Sequence, residues 1–422
     1  MDKKRRWILC IYLSILGMTA ASAQITIEQI TTSIDGNTRR AWLLNELQIH
    51  EGKEFESQQK LEHFFNARAI DLDKRRLFRE FNWTVTWSSP TKAQISIEIL
   101  DSFTFLPRPI ISYSSNLGLT LGANLVYLNA YGSLMDQALW GYWSPSEYRV
   151  GTRLSNVVAG PFRLNLIVDQ FDFLTRYGDP TGEIPVQYRS TLTHVSLRSS
   201  IPLAPGSPWE FYLEPQVNWR YNYRNYENES GLNRQQVAHP GFSFGIIGGF
   251  EWDRLHWQGN QRNGWHLELN NENDFYIQSG GQDIVLDFEV LGFLPVTPWL
   301  ELSGRIASFY APSGLRTDAG DRLRGVVDYM TYGTLGVYTT FQTAFRVLDI
   351  DRWGELQLRP FVDVGYVSSP EWSHGPESWE YCVGASAIIF IDILPSLALN
   401  VDFGWDFKRN RSETIIGTAH FF

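Results

Sequence analysis

The chain has 422 residues and a formal net charge of -10 at neutral pH. That acidity argues against a nucleic-acid surface, and the lack of any run of 18 apolar residues beyond the first segment argues against helical membrane spans. A membrane β-barrel stays open, because its strands alternate apolar and polar residues and keep mean hydropathy low.

Residues 1–23 read as a secretory signal peptide. Lys3, Lys4, Arg5 and Arg6 precede an apolar stretch over residues 7–18, and Ala21-Ser22-Ala23 supplies small residues before Gln24. The apolar stretch, about 12 residues, falls short of the ~20 that a spanning helix needs. Cys10 lies within it and Cys382 is the other cysteine, so neither an internal disulfide nor a cysteine metal cluster is expected.

Residues 24–105 show a mixed pattern. Ile25 and Ile27 alternate as in a short strand, and Asp35-Gly36-Asn37-Thr38 makes a turn followed by a helix cap. Trp42, Leu43, Leu44 and Leu47 recur at helical spacing, and Gly52 ends that unit. A second helix starts near Ser57, with Leu61, Phe64 and Phe65 on one face. Two strands over residues 82–87 and 93–100 follow, joined by Ser88-Ser89-Pro90-Thr91. This β-α-α-β-β order, with Gly36 and Asn37 in its first turn, resembles a POTRA domain, the periplasmic module of outer-membrane assembly and transport proteins. Leu106-Pro107-Arg108-Pro109 then reads as a hinge, since each proline removes a donor and restricts its predecessor.

Residues 106–422 alternate almost throughout. Strands are expected near 110–115, 117–128, 134–143, 146–155, 162–175, 187–203, 209–226, 239–254, 264–278, 283–296, 299–311, 335–348, 354–367, 380–392, 397–407 and 414–422. That makes about sixteen, an even number as a bacterial barrel requires. In residues 397–407, Leu399, Val401, Phe403, Trp405 and Phe407 suit lipid, while Asn400, Asp402, Gly404 and Asp406 suit a wet lumen. In residues 283–290, Ile284, Leu286, Phe288 and Val290 oppose Asp283, Asp287 and Glu289, with Val285 as the exception. If the first strand rises from the periplasm, long loops near Gly178, Gly231, Gly320 and His374 fall outside. Short turns at Pro205, Pro298, Arg352 and Pro395 fall inside; the connection near Gly259 is longer than this pattern predicts.

Two features carry the site. Arg324 lies in the long segment 312–334, whose steps from Ala311 to Arg324 could reach at most about 43 Å, ample for a loop that enters a lumen. Asp363 falls on the lumenal face of residues 354–367 with Gln357, Arg359 and Gly365. From these residues alone, Arg324 is either a solvated loop arginine or one half of a buried ion pair with Asp363. Residues 414–422 alternate toward a terminal phenylalanine and resemble the C-terminal signal of outer-membrane barrels, carried here by Ile415, Gly417, His420 and Phe422.

The ensemble resembles the BamA/TamA superfamily, whose sixth extracellular loop carries Val/Ile-Arg-Gly-Phe/Tyr and whose later strand carries Phe-x-Asp-x-Gly. Arg324 and Gly325 match the loop motif, whereas Leu323 and Val326 depart from it; Phe361, Asp363 and Gly365 match the strand motif in full. The resemblance implies the buried pair. It also implies a mainly β fold, a transmembrane antiparallel β-barrel preceded by one small α+β POTRA-like domain, set in the bacterial outer membrane with that domain in the periplasm. The implied function is to help outer-membrane proteins insert, or to pass polypeptides or lipids across that membrane. Outer-membrane lipid and client polypeptides or periplasmic partners would be its partners, without cofactor, metal or nucleic acid. A sheet edge of the POTRA-like domain could take an added client strand, and a weak seam between first and last strands could open sideways. The alternatives are a passive porin-like channel, a specialised two-partner-secretion-type transporter, or a barrel enzyme. His194, His239, His256 and His266 are scattered without a recognisable nucleophile or acid/base set, so no enzyme is expected.

Overall fold

The computed structural model describes residues 24–74, 77–102, 104–115, 118–177, 186–204, 207–229, 231, 239–312, 322–326, 333–350, 354–368, 378–391 and 398–418. The signal peptide lies outside them. The chain divides into two compact units, Met1–Phe103 with Tyr131–Leu134, and Thr104–Ala130 with Met135–Phe422.

The first unit contains β1 (Ile25–Asp35), α1 (Arg40–Leu47), a two-residue β2 (Glu54–Phe55), α2 (Gln58–Lys74), β3 (Phe78–Ser89) and β4 (Lys92–Asp101). The sheet order is β2-β1-β4-β3, with β1 parallel to β4 and β4 antiparallel to β3. Strict alternation on β4 buries Ala93, Ile95, Ile97 and Ile99, and the helices bury Leu43, Leu47, Leu61 and Phe65. Phe65 stacks on Trp83 of β3 at 4.9 Å, fixing α2 against the sheet. Ser57 caps α2 by accepting from the Lys60 amide at 3.2 Å. The expected cap of α1 is different: Arg39 holds that position without a side-chain bond, and the Thr38 hydroxyl turns to Asp101 instead. The two-residue β2 is an addition to the order read from the sequence.

The second unit is a closed barrel. Its strands are β5 (Phe105–Ser114), β6 (Gly118–Ala130), β7 (Met135–Trp143), β8 (Glu147–Ala159), β9 (Phe162–Tyr177), β10 (Val186–Pro202), β11 (Trp209–Asn228), β12 (Gly241–Asp253), β13 (His256–Gln258), β14 (Gln261–Tyr276), β15 (Gln282–Thr297), β16 (Leu300–Tyr310), β17 (Leu335–Ile350), β18 (Gly354–Ser368), β19 (Ser378–Ile391), β20 (Ala398–Asp406) and β21 (Arg411–Gly417). β12 pairs directly with β14, which leaves β13 beside the wall and gives a wall of sixteen antiparallel strands closed by β21 against β5. Among the described residues no helix is long and apolar enough to cross a membrane.

Side chains sort to two faces as the alternation requires. On β20, Leu399, Val401 and Phe403 are exposed on the outside while Asn400, Asp402 and Asp406 are buried within. An apolar outer face and a polar interior are the division that lipid outside and water inside demand. Val285, the exception to the pattern of its strand, is buried in an apolar cluster inside the barrel.

The segment around Pro107 and Pro109 is no hinge. β5 runs through both prolines and pairs with β6 without interruption from Phe105↔Tyr127 to Ser114↔Gly118. The reason is which edge the prolines face. The Ser115 amide donates to Thr414 O, so alternate residues back along β5, including Pro109 and Pro107, present their backbone toward β21. The missing donors therefore cost β5 nothing in its ladder with β6, and proline sits on an edge, where it is tolerated.

Consecutive antiparallel pairing puts the connections alternately at two ends: a near end, where β5 begins, and a far end, where it finishes. By that alternation β9–β10, β11–β12, β16–β17 and β18–β19 are joined at the far end, and β10–β11, β15–β16, β17–β18 and β19–β20 at the near end. The connection around Gly259 is the near-end exception, and it contains β13.

Candidate functional site

Residues 322–326 of the long far-end connection lie inside the barrel wall. Arg324 is 3% exposed and Asp363 of β18 is 1% exposed. The guanidinium meets the carboxylate in a fork, with Nη2 donating to Oδ1 at 2.9 Å and Nε to Oδ2 at 3.1 Å. The Arg324 backbone amide adds a third bond to Oδ2 at 3.0 Å, and Nη1 donates to Gln342 Oε1 of β17 at 2.6 Å. The Arg324 guanidinium carbon also lies 3.5 Å from the centroid of the Phe361 ring. The two possibilities left by the sequence thus resolve in favour of the buried pair. A planar fork with matched acceptors and an aromatic floor is a task for arginine rather than lysine.

Each residue of the two motifs has a steric reason. Gly325 has φ +91°, and a Cβ there would stand 2.7 Å from the Gly404 carbonyl carbon of β20. Gly404 is bound in return, since its own Cβ would fall 2.7 Å from Gly325 Cα. Gly365 leaves space for Leu323, whose Cδ1 would be 2.7 Å from an added Cβ. Phe361 occupies the space that Gly384 of β19 leaves free. Leu323 and Val326, the departures from the loop motif, are buried with Val285, Ala307, Phe309, Ala311, Tyr338, Val367 and Cys382. Aliphatic side chains here fill the tip without an aromatic. Arg322 completes the tip by pairing with Asp287 of β15 at 2.9 Å. The sequence did not single out Gln342, Gly384 or Gly404; a glycine inside a strand pattern, which marks close backbone approach, was the available signal for the last two.

The seam is the second element. Among the described residues β21 pairs with β5 at Ile415↔Ser114 and Ile416↔Tyr113. Side chains supplement it: Ser114 Oγ donates to Glu413 Oε1 at 3.1 Å, and Thr418 Oγ1 donates to Pro109 O at 3.2 Å. Gly417 ends β21 opposite Asn400 of β20. His420 and Phe422 lie outside the described residues.

Gly36 and Asn37 form a smaller clamp in the first unit. Asp101, at the end of β4, accepts from the Asn37 and Thr38 amides at 2.6 and 2.8 Å and from the Thr38 hydroxyl at 2.7 Å. Gly36, with φ +144°, has no room for a Cβ against Asp101. This carboxylate was not expected from the sequence.

Of the histidines considered, His266 approaches Glu251 and Asp253 closely enough for the three to share a cation. Arg198 already pairs with Glu251 at 2.7 Å and Asp253 accepts from the Leu255 amide at 2.8 Å, so protein groups meet that charge. His194 bonds Asn218 and His239 stacks on Tyr276, each in a structural role.

No protein-family model and no curated sequence matches the chain. Solved structures do match its fold. A BamA from Haemophilus ducreyi lacking POTRA domains 1–3 superposes with a TM-score of 0.62 at 12% identity, over 93% of this chain and 84% of that one. CdiB from Escherichia coli gives 0.70 at 12% identity, over 94% and 76%. CdiB from Acinetobacter baumannii gives 0.65 at 12% identity, over 93% and 73%. The resemblance read from the loop and strand motifs therefore holds at the level of the fold: the chain shares its barrel fold with BamA and CdiB.

Proposed function

We propose that the chain is a non-catalytic outer-membrane barrel of the BamA/TamA superfamily that assists insertion or translocation of client polypeptides, opening sideways between β5 and β21. The observation that carries this reading is the seam, where among the described residues β21 meets β5 at two neighbouring residue pairs and β5 turns two prolines toward that edge. Such an edge is short of donors and is a place where a wall can part at low cost and a client strand can pair. The first unit suits the role of a periplasmic POTRA-like domain. Its outer strand β3 pairs with β4 alone among the described residues, which leaves a sheet edge for an extended segment. A passive porin is the weaker alternative, because the Arg324 loop tip occupies the interior.

The test is a reversible lock. The Ser115 amide bonds Thr414 O, so Ser114 and Ile415 form the adjacent non-hydrogen-bonded pair, whose side chains stand closer. In Ser114→Cys/Ile415→Cys, oxidation should stop insertion of an unfolded outer-membrane barrel into liposomes carrying the variant, and reductant should restore it. Equal insertion by the oxidised and reduced forms would remove the sideways opening. Depletion followed by comparison of the outer-membrane proteome and lipids then distinguishes the clients: many barrels, one secreted polypeptide, or lipid.

A further inference from the structure

The near-end connection between β12 and β14 is longer than its neighbours because it holds a second, inward hairpin. β13 pairs with the start of β14 from His256↔Asn263 to Gln258↔Gln261, and Gly259, at φ +64°, lets a two-residue turn close it. Its tip reaches residues far along the wall. Asn260 Nδ2 donates to Glu355 Oε2 of β18 at 3.3 Å, and Gln357 Nε2 of β18 donates to Asn260 O at 3.2 Å. Trp257 packs on Ile388, Phe390 and Ala398 of β19 and β20, and the Arg262 guanidinium lies over the Trp257 ring at 4.8 Å. Three strands, β15, β16 and β17, separate β14 from β18 in the wall, so the hairpin crosses the lumen as a chord rather than lying against its own neighbours.

We propose that this hairpin is a plug latched across the near mouth of the barrel, and that it must be released for solute to pass through the lumen. The latch is built of buried groups: Glu355 is 4% exposed and Gln357 2%. It also shares a strand with the far-end clamp. The lumenal column of β18 runs Glu355, Gln357, Arg359, Phe361, Asp363; the plug is held by the first two and the Arg324 tip by the last two. Arg359 stands between, donating from Nε and Nη2 to Gln357 Oε1 at 3.0 and 2.7 Å. The barrel is thus closed from both ends along one strand.

The proposal needs the barrel to sit in a bilayer and needs no client, so its test stands apart from the seam experiment. The full chain is reconstituted in planar bilayers and its KCl conductance recorded. One variant replaces residues 255–264 by Asn-Gly, which closes the hydrogen-bonded Arg254↔Trp265 pair as a two-residue hairpin. A second, Asn260→Asp, sets a carboxylate beside Glu355 without shortening the chain. Both are checked for a folded barrel by their heat-modifiable mobility. The shortened variant should conduct several-fold more than the wild type, and Asn260→Asp should show more frequent or longer openings. Wild-type conductance in folded Asn260→Asp and in any folded shortened variant overturns the plug, as does a wild type that is constantly open at the level of the shortened form. If the shortened variant does not fold, Asn260→Asp decides alone.

Discussion

The barrel wall carries both inserted segments on β18 and, among the described residues, is most thinly paired between β21 and β5, and the contrast is built from the same backbone. β18 pairs with β19 in unbroken register from Gly354↔Ile391 to Val367↔Ser378, and its lumenal column holds both inserted segments. Among the described residues β21 meets β5 at two neighbouring pairs, the Ser115–Thr414 backbone bond and a few side-chain bonds. A closed sheet needs every edge satisfied, and here the deficit is concentrated at one line while the opposite property, redundancy of bonds, is concentrated at another. A wall arranged this way can part at the line and keep its shape elsewhere.

The contrast can be broken from its strong side first. Asp363→Ala would leave the Arg324 guanidinium buried without its counter-charge, a loss of roughly 3–5 kcal/mol; thermal unfolding of the detergent-solubilised barrel should show it as the largest shift of the series. A melting temperature equal to wild type would mean that the loop tip contributes no rigidity. Gly404→Ala keeps all charges but places a methyl group against the Gly325 backbone, and overpacking of this kind costs about 1–3 kcal/mol. Its melting point should fall between those of wild type and Asp363→Ala.

The weak side can be sharpened instead. Pro107→Ala/Pro109→Ala gives β5 two amide donors on the edge facing β21, each worth about 0.5–1.5 kcal/mol if bonded. Amide exchange at Ile415 and Ile416 should slow, and client insertion should slow with it; unchanged exchange would show that donors do not limit the seam. The smallest effect belongs to Ser114→Ala, which removes one bond to Glu413 and should speed the same exchange by a margin near 1 kcal/mol.

Much of the fold was written in period-two alternation, which fixed the strand order and the face of nearly every residue in β14, β15, β18 and β20. Asp363 could be placed on the lumenal side because a strand has two faces and its neighbours settle which is which. The pairing with Arg324 needed the motif resemblance, since a loop residue has no such periodicity. Pro107 and Pro109 misled because a proline breaks a ladder on one edge only, and a sequence does not say which edge is paired. Asp101 was invisible for a related reason: its bonds to Asn37 and Thr38 span more than sixty residues and depend on β1 and β4 lying parallel. The inward hairpin left a trace as a turn too long for its side of the barrel, and Val285 left one as an apolar residue out of phase. Both marked segments that fill the interior.

Cys382 gives the clamp a consequence for measurement. Its thiol is fully shielded, in the same apolar cluster as Leu323 and Val326. Withdrawal of the loop tip would uncover that sulfur, so the native chain holds its own chemical clock: the rate at which a maleimide labels Cys382 counts how often the loop leaves, with no probe engineered into the barrel.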